Sequence, residues 1–252
     1  MASPTERFTS RVETYAKYRP GYPAEVIELL RSECGLTPDS IVADVGSGTG
    51  IFSELLLKNG NTVIGVEPNA AMRGAAENLL RGYSKFQSVN GSAEKTILAN
   101  ASVNLISAGQ AFHWFDAGAA RKEFVRILKP GGFVALIWND RRLDSSAFLR
   151  NYETLLREYG TDYAKVQEYD PIAQIGNFFA PQSFKHKEFA NRQEFDFAGF
   201  KGRVLSASYT PEPGNPKFEP MIKALQDLFD SCEENGSVAL EYDTRVFYGQ
   251  LA

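Results

Sequence analysis

The chain has 252 residues, 43 % of them apolar with 18 Phe and 11 Tyr, enough for one large α/β domain with a full core. A formal charge of −4 argues against electrostatically driven nucleic-acid binding. The first residues hold no apolar stretch for a signal peptide, no run approaches a membrane span, and Cys34 and Cys232 lack the spacing of a zinc site or disulfide framework. A cytoplasmic protein without metal is the expectation.

In chain order, Tyr15 to Pro23 is aromatic and punctuated by prolines, so regular structure is expected only after Pro23. Ser40 to Ala43 reads as a buried strand, followed by the glycine turn Asp44-Val-Gly46-Ser47-Gly48-Thr49-Gly50 and a helix from Ile51 to Leu57. Asn61 to Val66 predicts a second strand, closed by Glu67 and Pro68, after which Asn69 can cap a helix through Leu80. Phe86 to Val89 and Val103 to Ser107 predict two more strands. A helix from Ala119 to Leu128 is stopped by Lys129-Pro-Gly-Gly132, and Phe133 to Trp138 is a fifth strand. This alternation predicts a parallel sheet with helices on both faces.

Beyond residue 140 the pattern changes. Ser145 to Tyr159 is amphipathic and helical, whereas Thr161 to Phe179 reads as irregular and aromatic. Phe184 to Phe197 alternates like a strand or hairpin, Phe200 to Ser208 and Lys217 to Cys232 look helical, and Ser237 to Leu251 is rich in β-formers. No linker divides the chain, so residues 1–252 are expected to form a single domain.

A strand, a glycine turn and a helix make the crevice where α/β proteins hold nucleotide-like ligands. A dinucleotide pyrophosphate requires a third glycine where this chain has Ile51, which opposes a nucleotide-dependent oxidoreductase. Asp-x-Gly-x-Gly-x-Gly instead resembles motif I of the class I S-adenosylmethionine-dependent methyltransferases. The resemblance implies that Gly46, Ser47, Gly48 and Gly50 let the backbone approach the methionine part of that cofactor. The helix N-terminus would meet its carboxylate, and Asp44 would accept from its ammonium or from the turn amides. The bland alternative is a glycine turn that binds nothing.

Glu67, at the end of the second strand, is placed to bind ribose hydroxyls, with Pro68 and Met72 beside it. By the same resemblance, Ser92, Ala93 and Glu94 close over the adenine, and Gln110 and Ala111 follow the fourth strand at the rim facing the methyl. His113 is the candidate base, the other reading being that it orients its loop. The His-Trp-Phe loop, the segment Tyr15 to Pro23 and the ending Tyr242 to Tyr248 are similar to the branch that includes trans-aconitate methyltransferase-like proteins. There Tyr15 or Tyr18 would cap the sulfonium, and Arg19 would pair with a carboxylate of cofactor or substrate.

The fold implied is a Rossmann-like seven-stranded sheet, order 3-2-1-4-5-7-6 with the last strand antiparallel, and a helical substrate cap. Residues 1–23 would form a lid, 24–140 the cofactor core, 141–235 the substrate-specificity insert with the sixth strand, and 236–252 the final strand. The implied reaction is methyl transfer to a small molecule, with a carboxylate as one candidate acceptor, by a monomer or homodimer. The rival is a protein that binds the cofactor without turnover, as sensor or partner.

Overall fold

A computed structural model describes residues 12–161, 163 and 171–251, so residues 1–11 of the expected lid and part of the expected insert lie outside the described residues. The cofactor half contains α1 (Val12–Tyr18), α2 (Glu25–Cys34), β1 (Ile41–Val45), α3 (Ile51–Lys58), β2 (Thr62–Val66), α4 (Ala70–Leu79), β3 (Phe86–Val89) and β4 (Val103–Gly109). A single 3-10 turn, Phe112–Trp114, leads into α5 (Ala117–Ile127) and β5 (Leu128–Arg141). The rest comprises α6 (Ala147–Tyr159), α7 (Pro171–Phe179), β6 (Phe184–Phe195), α8 (Phe197–Leu205), α9 (Phe218–Cys232) and β7 (Val238–Gly249).

The seven strands form one sheet in the order β3-β2-β1-β4-β5-β7-β6. Pairings from β3 to β5 are parallel, and β7 runs antiparallel to both β5 and β6. This is the Rossmann-like arrangement that the motif resemblance implies. Buried apolar side chains on one sheet face pack with α5 and α7, through Phe124, Ile127, Ile175, Phe178 and Phe179. The opposite face is covered by α2 and α3, through Val26, Leu30, Phe52 and Leu56. A third core is built by α6, α8 and α9 with the first residues of β7, Val238, Leu240 and Tyr242. β7 therefore carries one end of its length in the helical region and the other in the sheet. No described helix is long and apolar enough to cross a membrane.

Local rules explain most boundaries. Asn69 Oδ1 accepts from the amides of Ala71 and Met72 at 2.9 and 3.0 Å, which starts α4 as expected. Three features depart from the sequence reading. Residues 12–18, expected to lack regular structure, are helical, and α1 is tied to the helical region. Gln193 Nε2 donates to Tyr18 O at 3.3 Å, Arg19 Nη2 donates to Ser206 O at 3.0 Å, and the Tyr18 ring fills the space above Gly202 in α8. β5 is longer than expected because Lys129–Gly132 does not end in a loop. Leu128 pairs with Val103 and Phe133 with Leu105, so the irregular residues are carried within the strand, aided by φ +76° at Gly131. Residues 171–179, read as irregular, form α7; Pro171 suits a first helical position, and Ile175, Phe178 and Phe179 find a sheet face to bury them.

Candidate functional site

The strand order reverses between β1 and β4, and ligands of open α/β sheets sit outside the carboxyl ends of strands at that point. The glycine turn lies there. The amides of Gly46 and Ser47 donate to Val66 O at 2.8 and 3.3 Å, folding the turn over the end of β2. A Cβ on Gly46 would lie 2.6 Å from Ala111 Cβ, and one on Gly50 would lie 2.8 Å from Leu80 Cδ1. Those two glycines permit close packing within the protein. Gly48 differs: at φ +54° its Cβ would meet nothing within 4 Å, so its free face is open space above the turn.

Glu67 is 9 % exposed, and its carboxylate spans this turn. Oε2 accepts from Gly48 N at 3.0 Å and Oε1 from Asn69 N at 2.8 Å. Burial raises its pKa, and the two amide bonds oppose that rise. Asp44 lies deeper, 1 % exposed. Its oxygens accept from Ser53 Oγ at 2.6 Å and Ser107 Oγ at 2.8 Å, while the turn amides of Gly46 and Ser47 go to Val66. The expected bond from Asp44 to those turn amides is thus replaced by two hydroxyls that join β1 to α3 and β4.

Burial pushes the Asp44 carboxyl up to about 6, with the two serine hydroxyls opposing the shift. Its folded pKa therefore exceeds the unfolded value near 3.9, so its contribution to stability is full below about pH 4 and is lost as pH rises through about 6. Asp44→Asn removes the ionisation. In denaturant melts the variant should gain on wild type between pH 4 and pH 7.5, by up to about 3 kcal/mol. An equal difference at both pH values would show that Asp44 does not titrate in this window.

The remaining predicted residues divide into several groups. Ser92 and Lys95 exchange two backbone hydrogen bonds of 3.1 and 3.2 Å, closing a small loop that buries Ala93. Glu94 Oε1 accepts from Asp116 N at 3.0 Å, which ties that loop to the start of α5. Met72 is buried in α4 and Pro68 is exposed. Gln110 takes φ +57° at the end of β4, a strained conformation for its residue type, held by its amide to Ile137 O at 2.8 Å and its side chain to Asn139 O at 3.1 Å. The His113 ring lies 4.8 Å from Trp114 on the exposed 3-10 turn. Burial of the ring among neighbouring groups lowers its pKa to about 4, leaving the imidazole neutral at pH 7.

Side chains outside the predicted set join them. A Cβ on Gly109 would lie 2.7 Å from Tyr22 Oη, so Tyr22 caps the end of β4, its ring 4.9 Å from Phe52. Burial raises the Tyr22 pKa well above the usual phenol, and the charges of Tyr15 and Asp44 add to that rise while Arg19 opposes it. Asn139 binds Gly21 O at 3.1 Å and accepts from Asn191 Nδ2 at 3.1 Å, joining the proline-rich segment to β5 and β6. Arg19 lies over the Tyr15 ring at 4.7 Å. Arg141 ends β5 and binds Glu153 and Tyr163, and Arg203 in α8 binds Tyr242. For Arg141 the sequence signal was available: a basic residue directly after a predicted strand stands at the ligand edge of the sheet.

Residues 43–136 match the model of a methyltransferase domain family. An uncharacterized methyltransferase of Schizosaccharomyces pombe is 33 % identical over 138 residues, 53 % of each chain. One from Mycobacterium bovis is 34 % identical over 134 residues, 53 % of this chain and 52 % of that one. The chain thus spans about half the length of these curated relatives. The solved structure of a protein of Anaeromyxobacter dehalogenans assigned as a type II methyltransferase shares the fold, with TM-score 0.67 at 22 % identity over 93 % of this chain and 98 % of that one. Residues 43–136 are thus similar to a methyltransferase domain, set on a fold that the chain shares with that solved structure.

The methyltransferase motif residues fit the family's cofactor on their own geometry. The open face of Gly48 is a cradle that any side chain would fill. Each oxygen of Glu67 spends one lone pair on an amide, which leaves acceptors for two hydroxyls. Thr49 Oγ1 is buried in the same turn with no partner among the described residues.

Proposed function

We propose that this protein transfers a methyl group from S-adenosylmethionine to a small-molecule acceptor through a carboxylate oxygen. The observation that carries the reading is the open face of Gly48 beside the Glu67 carboxylate, at the point where the strand order reverses. When bound, the cofactor supplies a sulfonium methyl: an acceptor oxygen bonds to that carbon as the C–S pair leaves on sulfur.

In this reading Gly46, Ser47, Gly48 and Gly50 hold the methionine part, with the α3 N-terminus facing its carboxylate. Asp44 adds negative charge beneath them. Glu67 accepts from the ribose hydroxyls, with Pro68 and Met72 alongside, and Ser92 to Glu94 close over the adenine. Gln110, Ala111 and Tyr15 line the rim, and Tyr18 anchors the N-terminal segment against α8. A carboxylate acceptor arrives ionised at neutral pH and needs no proton removed. His113, neutral and exposed, then positions the acceptor more than it moves a proton. Residues 1–23 act as lid and 141–235 as specificity region of a single cytoplasmic domain, which orient the acceptor and exclude water.

The test is to incubate the protein with methyl-labelled S-adenosylmethionine and a metabolite extract. Label is expected in an acidic small molecule, as a base-labile ester. Binding of S-adenosylhomocysteine without label in any acceptor would favour a silent binder, and preference for NAD would remove the cofactor assignment.

A further inference from the structure

Strand β6 is an outer edge of the sheet, and its 12 residues pair with β7 in one unbroken register from Phe184↔Gly249 to Phe195↔Val238. The ladder fixes which of its backbone groups are free. Glu241 O accepts from Arg142 N at 2.8 Å, so the odd-numbered residues of β7 point toward β5. Direction alternates along an antiparallel strand, so the even-numbered residues of β7 point toward β6, where they oppose its odd-numbered ones. The even-numbered residues of β6, from His186 to Glu194, therefore turn their N–H and C=O groups outward. Arg192 agrees, because its N–H donates to the neighbouring Asn191 Oδ1 at 2.9 Å. Among the described residues no backbone group of another element bonds this edge.

A long edge with neither proline nor bulge is a template for a further strand, unless its charges repel one. The pattern of signs decides that. His186, Glu188, Ala190, Arg192 and Glu194 share one face and are all exposed. On the other face Asn191 and Gln193 are occupied, donating to Gly21 O at 2.9 Å and Tyr18 O at 3.3 Å. Two copies of β6 joined about a two-fold axis must set even-numbered residues opposite even-numbered ones, since only those carry free backbone groups.

Few registers satisfy this. Centred on Ala190, His186 faces Glu194 and Glu188 faces Arg192, each twice by symmetry, while the small Ala190 meets its own copy at the axis. Centred on Phe189, His186 faces Arg192 and no opposite charges meet. Centred on Asn191, Glu188 faces Glu194. Centred on Glu188 or Arg192, that residue faces its own charge. The Ala190 register alone is complementary.

We propose that β6 is a self-association edge: a second copy of this chain adds its own β6 antiparallel, centred on Ala190, and joins two seven-stranded sheets into one. The Arg192 amide passes from Asn191 to the Glu188 carbonyl of the second copy. This pairing does not depend on the methyl-transfer reading.

The test is sedimentation velocity of the whole chain from about 1 to about 300 μM, with thermal melts to verify that each variant folds. Wild type should pass from monomer to dimer across that range and stop there, because pairing consumes the free β6 edge. Ala190→Pro removes an outward amide and no ladder bond to β7, so it should melt near wild type and stay monomeric. Glu188→Arg and Arg192→Glu each set like charges opposite one another, and each should weaken self-association at least about tenfold. Mixed together, these two variants should dimerise again, since one strand is then basic and the other acidic at both facing positions. The proposal falls if wild type stays monomeric throughout, if folded Ala190→Pro dimerises like wild type, or if the mixture associates no better than its components. If Ala190→Pro does not fold, the mixture decides.

Discussion

Gly48→Val is expected to give a folded protein that no longer binds S-adenosylhomocysteine. The position sits at φ +54°, where a β-branched residue is strained by roughly 1–2 kcal/mol, so melting should shift down modestly. No protein atom lies within 4 Å of the added Cβ, so packing is not the obstacle. The branched side chain would instead occupy the space left for the methionine part of the cofactor. Affinity should drop by at least about 100-fold, or about 2.8 kcal/mol. Gly46→Val is the contrast, since its Cβ would start 2.6 Å from Ala111 Cβ and the cost should appear as unfolding. A folded Gly48→Val protein with wild-type affinity would place the ligand elsewhere.

Glu67→Gln should lower affinity for S-adenosylhomocysteine by roughly 1.5–3 kcal/mol, the range for hydrogen bonds to a charged group. The substitution keeps the shape but replaces one carboxylate oxygen by an amide donor. That donor must face either Gly48 N or Asn69 N, which now donate to the two oxygens at 3.0 and 2.8 Å. Some stability is therefore lost with the binding. A ligand lacking the ribose 2′-hydroxyl separates the two effects. Wild type should bind this deoxy ligand more weakly than its parent, and Glu67→Gln should hardly distinguish them, because the group that reads the hydroxyl has changed. If the variant still distinguishes them by the wild-type margin, the ribose is read by another side chain.

The two substitutions test residues that were legible before any fold was known, and the reason is that their information is local. A strand, a glycine turn and a helix follow from apolar patterning and from backbone freedom at Gly46, Gly48 and Gly50. Asn69 announces α4 because a side-chain oxygen two and three residues before free amides has one obvious use. The β3 limits, Phe86 to Val89, agree with the sequence reading because turns bound the short run on both sides. Even the strand order was carried by a motif and a chain ending similar to those of a known family.

What the sequence could not show is which distant residues meet. Asp44 reads as a ligand acceptor in its motif, yet Ser107, 63 positions away, and Ser53 take up its oxygens, a pairing made only when β4 lies beside β1. Helix α7 carries Ile175, Phe178 and Phe179 at helical spacing over only about two turns, too short to stand alone, and forms because a sheet face is there to bury them. Tyr18 reads as a cap for the sulfonium or as an anchor, two compatible roles, and the close approach of its ring to Gly202 is a contact that only the packing of α8 reveals. Strand β6 reads in the chain only as an alternating segment, and the sheet decides that it lies at an edge with its even-numbered amides turned outward. Local backbone chemistry wrote the cofactor turn into the sequence, whereas long-range strand pairing decided which backbone groups the fold leaves open.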